Sequence, residues 1–256
     1  MSAAPASPAT KAPLIELFHS IQGEGRFVGA PMVFVRVATC PIRCRYCDTP
    51  HSYTAAATAT VGGRAPEPNP VSAARAAELA RQLLADAGAG APPRISVTGG
   101  EPLVFPQFVR ALGRQLRPLG CALHLETAAL DPVALRQCID EVDHLSADYK
   151  LPETLTAGFF GREHVQCCEL AVARGRSVDV KLVLTKAVAD ASLARALADL
   201  LPLRQRLLLV LQPVTPFGAE PERLPPDRLL QFARAAAAAG FDYRVLPQVH
   251  RQLDVP

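Results

Sequence analysis

The sequence predicts an α/β fold, a mostly parallel sheet curved into an open, partial barrel with helices outside it. Three observations carry this expectation. From Val71 onward, apolar runs of strand length alternate with segments of helical period. Runs such as 181–185 (KLVLT) and 206–213 (RLLLVLQP) are apolar almost throughout, as expected of strands covered on both faces. Polar motifs recur just after the strands, where open α/β sheets and barrels gather their ligands. Strand–helix–strand units imply right-handed crossovers, and about six such units are too few to close an eight-stranded barrel.

The elements follow in order. Residues 31–37 (PMVFVRV) form a buried strand leading straight into Cys40. Residues 51–70 show no useful period and are expected to form an insertion loop, a candidate cover for the barrel mouth. A helix at 71–87, with Ser72 as cap, leads to a strand at 94–98. Helix 106–118, strand 121–126, helix 132–141 and strand 143–149 follow. The second half repeats the rhythm with helix 158–174, strand 178–184, helix 188–200 and strand 206–212. A helix at 226–239, closed by Gly240, precedes a last strand at 242–247. Residues 1–12, rich in Ala, Pro and Ser, are expected to be a disordered arm. That leaves 13–256 as one domain, and 49% apolar content is ample for one core.

Composition excludes several roles. No apolar run is long enough to span a bilayer, and the start lacks a charged stretch followed by an apolar one. A cytoplasmic protein without a membrane partner is expected. Arg outnumbers Lys 23 to 4, but the basic residues are dispersed and the net charge is only +3. With no Trp and four Tyr there is little for bases to stack on, so nucleic acid is not an expected partner.

Seven cysteines, an odd number, argue against a disulfide framework. Cys121 and Cys138 lie on apolar segments and are read as small core residues. Cys167 and Cys168 lie within a helical pattern and receive no role. Cys40, Cys44 and Cys47 fall within eight residues, in the run CPIRCRYCDT. Three thiolates can hold three irons of a four-iron cluster and leave the fourth open to a chelating ligand. S-adenosylmethionine can chelate through its amino and carboxylate groups, and electron transfer then breaks its carbon–sulfur bond to give a 5′-deoxyadenosyl radical. Two other readings stand beside this one. The spacing i, i+4, i+7 also suits one buried helix face, although Pro41 and Pro50 crowd its ends. A zinc site completed by His51 or another residue also suits the thiols, although no second CxxC pair is present.

The spacing CxxxCxxC with an aromatic before the last cysteine resembles the radical S-adenosylmethionine superfamily, whose fold is a partial (βα)6 TIM-like barrel. Thr98-Gly99-Gly100-Glu101-Pro102 resembles its glycine-rich motif. A narrower resemblance rests on Glu16–Gly25 (ELFHSIQGEG), Val33–Arg36, Cys47-Asp48-Thr49 and Leu246–His250 (LPQVH). Together these are similar to the 7-carboxy-7-deazaguanine synthases, from about Ile15 to Pro256. The resemblance implies a carbon–nitrogen lyase that turns 6-carboxy-5,6,7,8-tetrahydropterin into 7-carboxy-7-deazaguanine. The ring contracts and ammonia leaves, on the way to queuosine.

The same resemblance implies a set of contacts. Ile21, Gln22, Gly23, Glu24, Arg36, Thr98 and the terminal Pro256 would meet the substrate. Tyr46, Cys47, Asp48, Gly100 and Glu101 would line S-adenosylmethionine, with Ser146, Asp148 and Lys150 near its ribose and carboxylate and Gln212, Pro213, Val214 and Thr215 beneath its adenine. Thr49 would ligate Mg2+, a hard cation suited to oxygen donors. A flavodoxin- or ferredoxin-like electron donor and a homodimer are also implied. The chain departs from a minimal member in its longer 51–70 segment and fuller later helices. Two alternatives remain: another enzyme of the superfamily, such as a glycyl-radical activase, and a zinc-stabilised binding protein without catalysis.

Overall fold

The computed structural model describes residues 10–87, 93–217 and 220–256. The chain opens with β1 (Lys11–Ala12), β2 (Leu14–Ile21) and β3 (Pro31–Val37), followed by β4 (Thr58–Val61), β5 (Arg64–Pro68) and β6 (Val71–Ser72). Strand and helix then alternate through α1 (Ala73–Ala87), β7 (Arg94–Gly99), α2 (Pro106–Leu116), β8 (Ala122–Thr127), α3 (Pro132–Cys138) and β9 (His144–Asp148). The last elements are α4 (Gly161–Ala173), β10 (Ser177–Leu184), α5 (Asp190–Leu200), β11 (Leu208–Pro213), α6 (Pro226–Ala238), β12 (Tyr243–Val245) and α7 (Val249–Leu253).

Ten strands form one sheet in the order β12-β11-β10-β9-β8-β7-β3-β2-β4-β5. The run from β3 through β7 to β12 is parallel throughout, the partial barrel expected. Helices α1 to α6 pack side by side on its outer face. Two expected stops hold in detail. Ser72 Oγ accepts from Arg75 N at 3.2 Å at the start of α1, and Gly240, at φ 76°, turns the chain after α6.

Successive strand residues face opposite ways. In β10, Val178, Val180 and Leu182 join the main core while Asp179 and Lys181 lie between them in the chain, buried and polar. In β3, Val33, Val35 and Val37 join that core, whereas Phe34 stacks on Phe18 at 5.1 Å in a separate small cluster. The strands are therefore apolar against the helices and largely polar inside, rather than apolar on both faces. Ser96, His124 and His144 lie in register across β7, β8 and β9. The two imidazoles stack at 5.1 Å, and Phe27 meets His144 edge-on at 4.7 Å. His144 is bonded to Asp179, which also accepts from Ser146 Oγ at 2.9 Å.

Three segments differ from the sequence expectation. Residues 14–21, given no element, form β2, antiparallel to β3. The expected 51–70 loop holds the hairpin β4–β5, which extends the sheet beside β2. Its period was present in Thr58-Ala59-Thr60-Val61, where Ala59 and Val61 are buried, and Gly62-Gly63 makes the two-residue turn. This hairpin lies at the sheet edge, and residues 55–68 do not line the cavity at the carboxyl ends of the parallel strands. Of the expected N-terminal arm, Lys11 and Ala12 pair with Ser72 and Val71 in a small second sheet, and Ala12 is wholly buried. The rest of that expectation, residues 1–9, lies outside the described residues.

Asn69 ties the end of this segment to β2. Its Oδ1 accepts from Leu14 N at 2.9 Å and its Nδ2 donates to Leu14 O at 2.8 Å, as a paired strand would. Asn69→Ala is expected to lower stability by about 2 kcal/mol, because two backbone groups of the buried Leu14 lose their partners. Urea unfolding measures it directly.

His124 and His164 are buried neutral, each with its pKa pushed down to about 3 by burial, reinforced at His124 by His144 and at His164 by Lys150. His164 Nε2 accepts the Lys150 backbone N–H at 3.0 Å, and its ring stacks on Tyr149 at 4.6 Å. Unfolding restores both to the ordinary 6.5, so the unfolded chain binds more protons below that pH. Their contribution to stability is therefore flat above about pH 6.5 and falls as pH drops toward 3. His164→Gln keeps an acceptor for Lys150 N–H but loses the proton site. Its acid limb, in unfolding measured between pH 7 and 4, should be shallower by up to about 1.4 kcal/mol per pH unit.

Candidate functional site

The cysteine loop springs from the end of β3 through a strained residue. Thr39 has φ 78°, rare for a β-branched residue. Its N–H donates to Ser52 O at 2.6 Å, and its carbonyl accepts from Glu101 N at 2.8 Å. Ser52 N and Oγ both bond to Thr49 O, at 2.9 and 2.7 Å, which clamps the far end of the loop. Arg43 donates to the carbonyls of Cys40 and Ile42, each at 2.8 Å, with its guanidinium 4.0 Å over Tyr53. Arg45 N donates to Thr154 O at 2.9 Å, and Cys44 makes an isolated bridge with Leu155. The loop is a series of turns, not a helix, so the buried-helix reading of the cysteine spacing is set aside.

The glycine-rich turn after β7 locks onto the root of this loop. Gly99 has φ 117°, and a Cβ at Gly100 would lie 2.2 Å from the Thr39 carbonyl oxygen. The glycines thus admit the backbone of the cysteine loop itself. Glu101 is wholly engaged by the chain. Its carboxylate accepts from Thr127 Oγ1 at 2.5 Å, Ala128 N at 2.8 Å and Leu103 N at 2.9 Å. Burial pushes its pKa up, and these three donors oppose the shift.

One cavity opens at the carboxyl ends of the parallel strands. Of the residues singled out from sequence, Cys40, Cys44, Cys47, Tyr46, Asp48, Thr49, Gly100, Asp148, Lys150 and Gln212 line it. So do Ile21, Gln22, Gly23, Glu24, Arg36, Thr98 and Pro256. Glu101, Ser146, Pro213, Val214 and Thr215 do not. Ser146 turns to Asp179, one layer below Asp148 on β9. The buried Val214 follows β11, its N–H bonded to Leu184 O at 3.0 Å.

Charges in the cavity are paired. Lys150 Nζ donates to Asp148 Oδ2 at 2.5 Å and Tyr46 Oη at 2.8 Å, and Tyr46 donates on to Asp148 Oδ1 at 3.3 Å. Arg36 Nε is held by Glu16 at 2.7 Å. Lys181 bonds to both Glu24 Oε2 and Glu126 Oε1. Burial alone would raise the Glu24 pKa, but Lys181, Gln248 and His250 bring it down to about 2. The chain end closes this side. Val249 N donates to Gly23 O at 2.9 Å, and a Cβ on Gly23 would strike the His250 ring. Gln248 Nε2 bridges Glu24 Oε1 at 2.7 Å and Asp48 Oδ2 at 3.2 Å.

Sequence reasoning passed over Lys181, Tyr53, Gln248 and His250, which all line the cavity. The signal for Lys181 was present: Asp179 and Lys181 alternate inside a strand otherwise apolar, so they share one face. Gln248 and His250 follow a short strand and carry no such mark.

The cysteines fit a multi-iron group. All three are half-buried and line one rim of the cavity. Burial pushes the Cys40 thiol up to about 11 and raises that of Cys44, so holding them as thiolates calls for the positive charge that bound iron supplies. Among the described residues no three His, Cys, Asp or Glu side chains close on one ion-sized point. Cys121, Cys138, Cys167 and Cys168 are buried in the apolar core. No helix among the described residues is long and apolar enough to cross a membrane.

Comparison with known proteins agrees with this geometry. No protein-family profile matches the chain. The 7-carboxy-7-deazaguanine synthase of Geobacter sulfurreducens is 32% identical over 249 residues, covering 94% of this chain and 96% of the relative. That of Methanothermobacter thermautotrophicus is 32% identical over 261 residues, covering 95% and 97%. Among solved structures, QueE from Escherichia coli superimposes with a TM-score of 0.65 at 21% identity, over 96% of this chain and 100% of that one. A radical SAM methyltransferase from Sphaerobacter thermophilus gives 0.60 at 18% identity, over 92% and 78%, a likeness of fold. With a cysteine-rimmed cavity at the mouth of a partial barrel and full-length relatives at this identity, the chain belongs to the 7-carboxy-7-deazaguanine synthase family.

Proposed function

We propose that the chain converts 6-carboxy-5,6,7,8-tetrahydropterin into 7-carboxy-7-deazaguanine, with ring contraction and loss of ammonia, in 7-deazapurine and queuosine biosynthesis. One observation carries the reading: the three cysteines, the Ile21–Glu24 segment and the chain end at Pro256 all line one cavity. Cys40, Cys44 and Cys47 would hold a [4Fe–4S] cluster, with S-adenosylmethionine beside Tyr46, Asp48, Gly100, Asp148, Lys150 and Gln212. When bound, these groups supply the radical chemistry.

The protein's own residues bind and orient. Glu24, ionised across the physiological range, accepts hydrogen bonds from the amino and ring N–H groups of a pterin. Arg36, anchored by Glu16, adds positive charge facing a substrate carboxylate. Lys150, fixed by Asp148 and Tyr46, offers a buried ammonium near Cys44 on the cofactor side. Thr49, its Oγ1 now donating to Asp48 Oδ1 at 2.9 Å, would turn to Mg2+ as an oxygen ligand. A flavodoxin- or ferredoxin-like donor, a homodimeric state and a cytoplasmic location complete the reading.

Anaerobic reconstitution with iron and sulfide, then reaction with carboxytetrahydropterin, S-adenosylmethionine and reductant, tests it by product mass. The wild type should form 7-carboxy-7-deazaguanine, and Cys44→Ala should lose turnover by at least about a thousandfold, the 4 kcal/mol scale of an essential group. Cofactor cleavage without any product from the pterin would refute the substrate. A second variant probes the loop root. Gly100→Ala drives a methyl into the Thr39 carbonyl, so iron bound per chain after reconstitution should fall below half the wild-type value.

A further inference from the structure

Lys181 emerges from the barrel wall with no role in the reading above beyond its charge. Its side chain is 3% exposed, and its ammonium bridges Glu24, from the segment after β2, and Glu126, at the end of β8. We propose that Lys181 is a positioning residue that holds Glu24 and Glu126 as a matched pair of hydrogen-bond acceptors for the donor edge of the substrate. The inference rests on the pterin reading.

The geometry supports it in three ways. Each carboxylate gives one oxygen to Lys181 and the other to a neutral donor. Gln248 Nε2 lies 2.7 Å from Glu24 Oε1, and Thr98 Oγ1 lies 3.2 Å from Glu126 Oε2. A carboxylate oxygen accepts more than one hydrogen bond, so both groups keep acceptor capacity toward the cavity they line. Lys181 on β10, Glu126 on β8 and Thr98 on β7 also belong to one sheet, and only Glu24 comes from outside it.

Removing the ammonium would leave two carboxylates facing each other in a buried site. Like charges so placed cannot both stay ionised, and one would take up a proton. A protonated carboxyl presents a donor where an amino or ring N–H needs an acceptor. Asp148 on β9 and Asp179 one layer below add further negative charge, while His250 on the chain end faces Glu24. Burial would lower the Lys181 pKa, but Glu126, Glu24 and Asp148 together drive it well above the ordinary lysine value, so the ammonium persists at every working pH.

The test is pterin affinity, measured by anaerobic calorimetry on the reconstituted holoenzyme from pH 6 to 8.5. Wild-type affinity should be independent of pH over this range. Lys181→Met should bind at least tenfold more weakly at pH 7 and recover affinity as pH rises, whereas Lys181→Arg should stay within about fivefold of wild type and keep the flat profile. A Lys181→Met affinity equal to wild type, or a loss that is flat with pH and shared by Lys181→Arg, overturns the inference. Should Lys181→Met fail to fold, Lys181→Gln, which also removes the charge and leaves both carboxylates, takes its place. It should show the same loss at pH 7 and the same recovery as pH rises, and a flat profile overturns the inference. A wild type without pterin affinity overturns the function reading and this inference together. Wild-type binding with an unaltered Lys181→Met overturns the inference alone.

Discussion

The two-residue alternation of the parallel strands is the constraint on which the rest of the structure depends. Each parallel strand, β3 and β7 to β11, must offer an apolar face to the helices, which leaves its other face to line the barrel. Val178, Val180 and Leu182 satisfy the first demand, and Asp179 and Lys181 follow from the second. Because the strands run parallel and in register, Thr98, Glu126, Ser146, Asp148 and Lys181 reach neighbouring levels of one interior without any loop having to carry them. Burying so much charge is tolerable only because each group has a partner. The pairs Lys150–Asp148 and Lys181 with its two glutamates meet that condition, and His124, one level below, is held neutral by burial.

The cysteine loop depends on the sheet at second hand. It has no regular structure of its own, and its shape is imposed at its root. Gly100 N donates to Val37 O and Glu101 N to Thr39 O, each at 2.8 Å, so the turn after β7 grips the exit from β3. The positive φ of Thr39 is strain that this grip and the Ser52 contact sustain. Glu101 then fixes the turn to the end of β8 through Thr127 and Ala128. Two motifs far apart in sequence are thus one piece of architecture. Their spacing in the chain reflects the length of one βα crossover together with the β4–β5 hairpin.

Legibility followed the range of the interaction. The barrel, its parallel sheet and the ring of motifs at strand ends were readable because hydrophobic period and turn chemistry are local. The cysteine loop was readable because three cysteines lie within eight residues. β2 escaped because its apolar and polar residues alternate inside a segment read for its motif, Glu16 to Gly25. The hairpin escaped because Thr-Ala-Thr-Val is a weak alternation and a Gly-Gly turn was taken for loop composition. The resemblance of the glycine-rich motif implied a place for Glu101 beside the cofactor, and its contacts within the chain carry no local signal. Its partners, Thr127 and Ala128, lie a whole βα unit away. Gln248 and His250 were quoted only as part of an ending, since their closeness to Gly23 and Asp48 is a property of the folded chain alone.

The chain end brings a different kind of contact from those of the barrel wall. Between Glu24 and Asp48 the bridge is Gln248, a neutral amide, where an ammonium serves between Glu24 and Glu126. A hydrogen bond from a neutral amide to a carboxylate contributes about 1.5–3 kcal/mol net, whereas breaking a buried ion pair costs about 3–5 kcal/mol. An incoming ligand with N–H donors can therefore replace Gln248 on Glu24 at little cost and leave Lys181 in place. The same exchange takes Gln248 from Asp48, which lies between Cys47 and Thr49 and keeps Thr49 Oγ1 at 2.9 Å and Arg251 at 3.5 Å. The contacts of Glu24 and those of the cysteine loop are linked in this way through one amide.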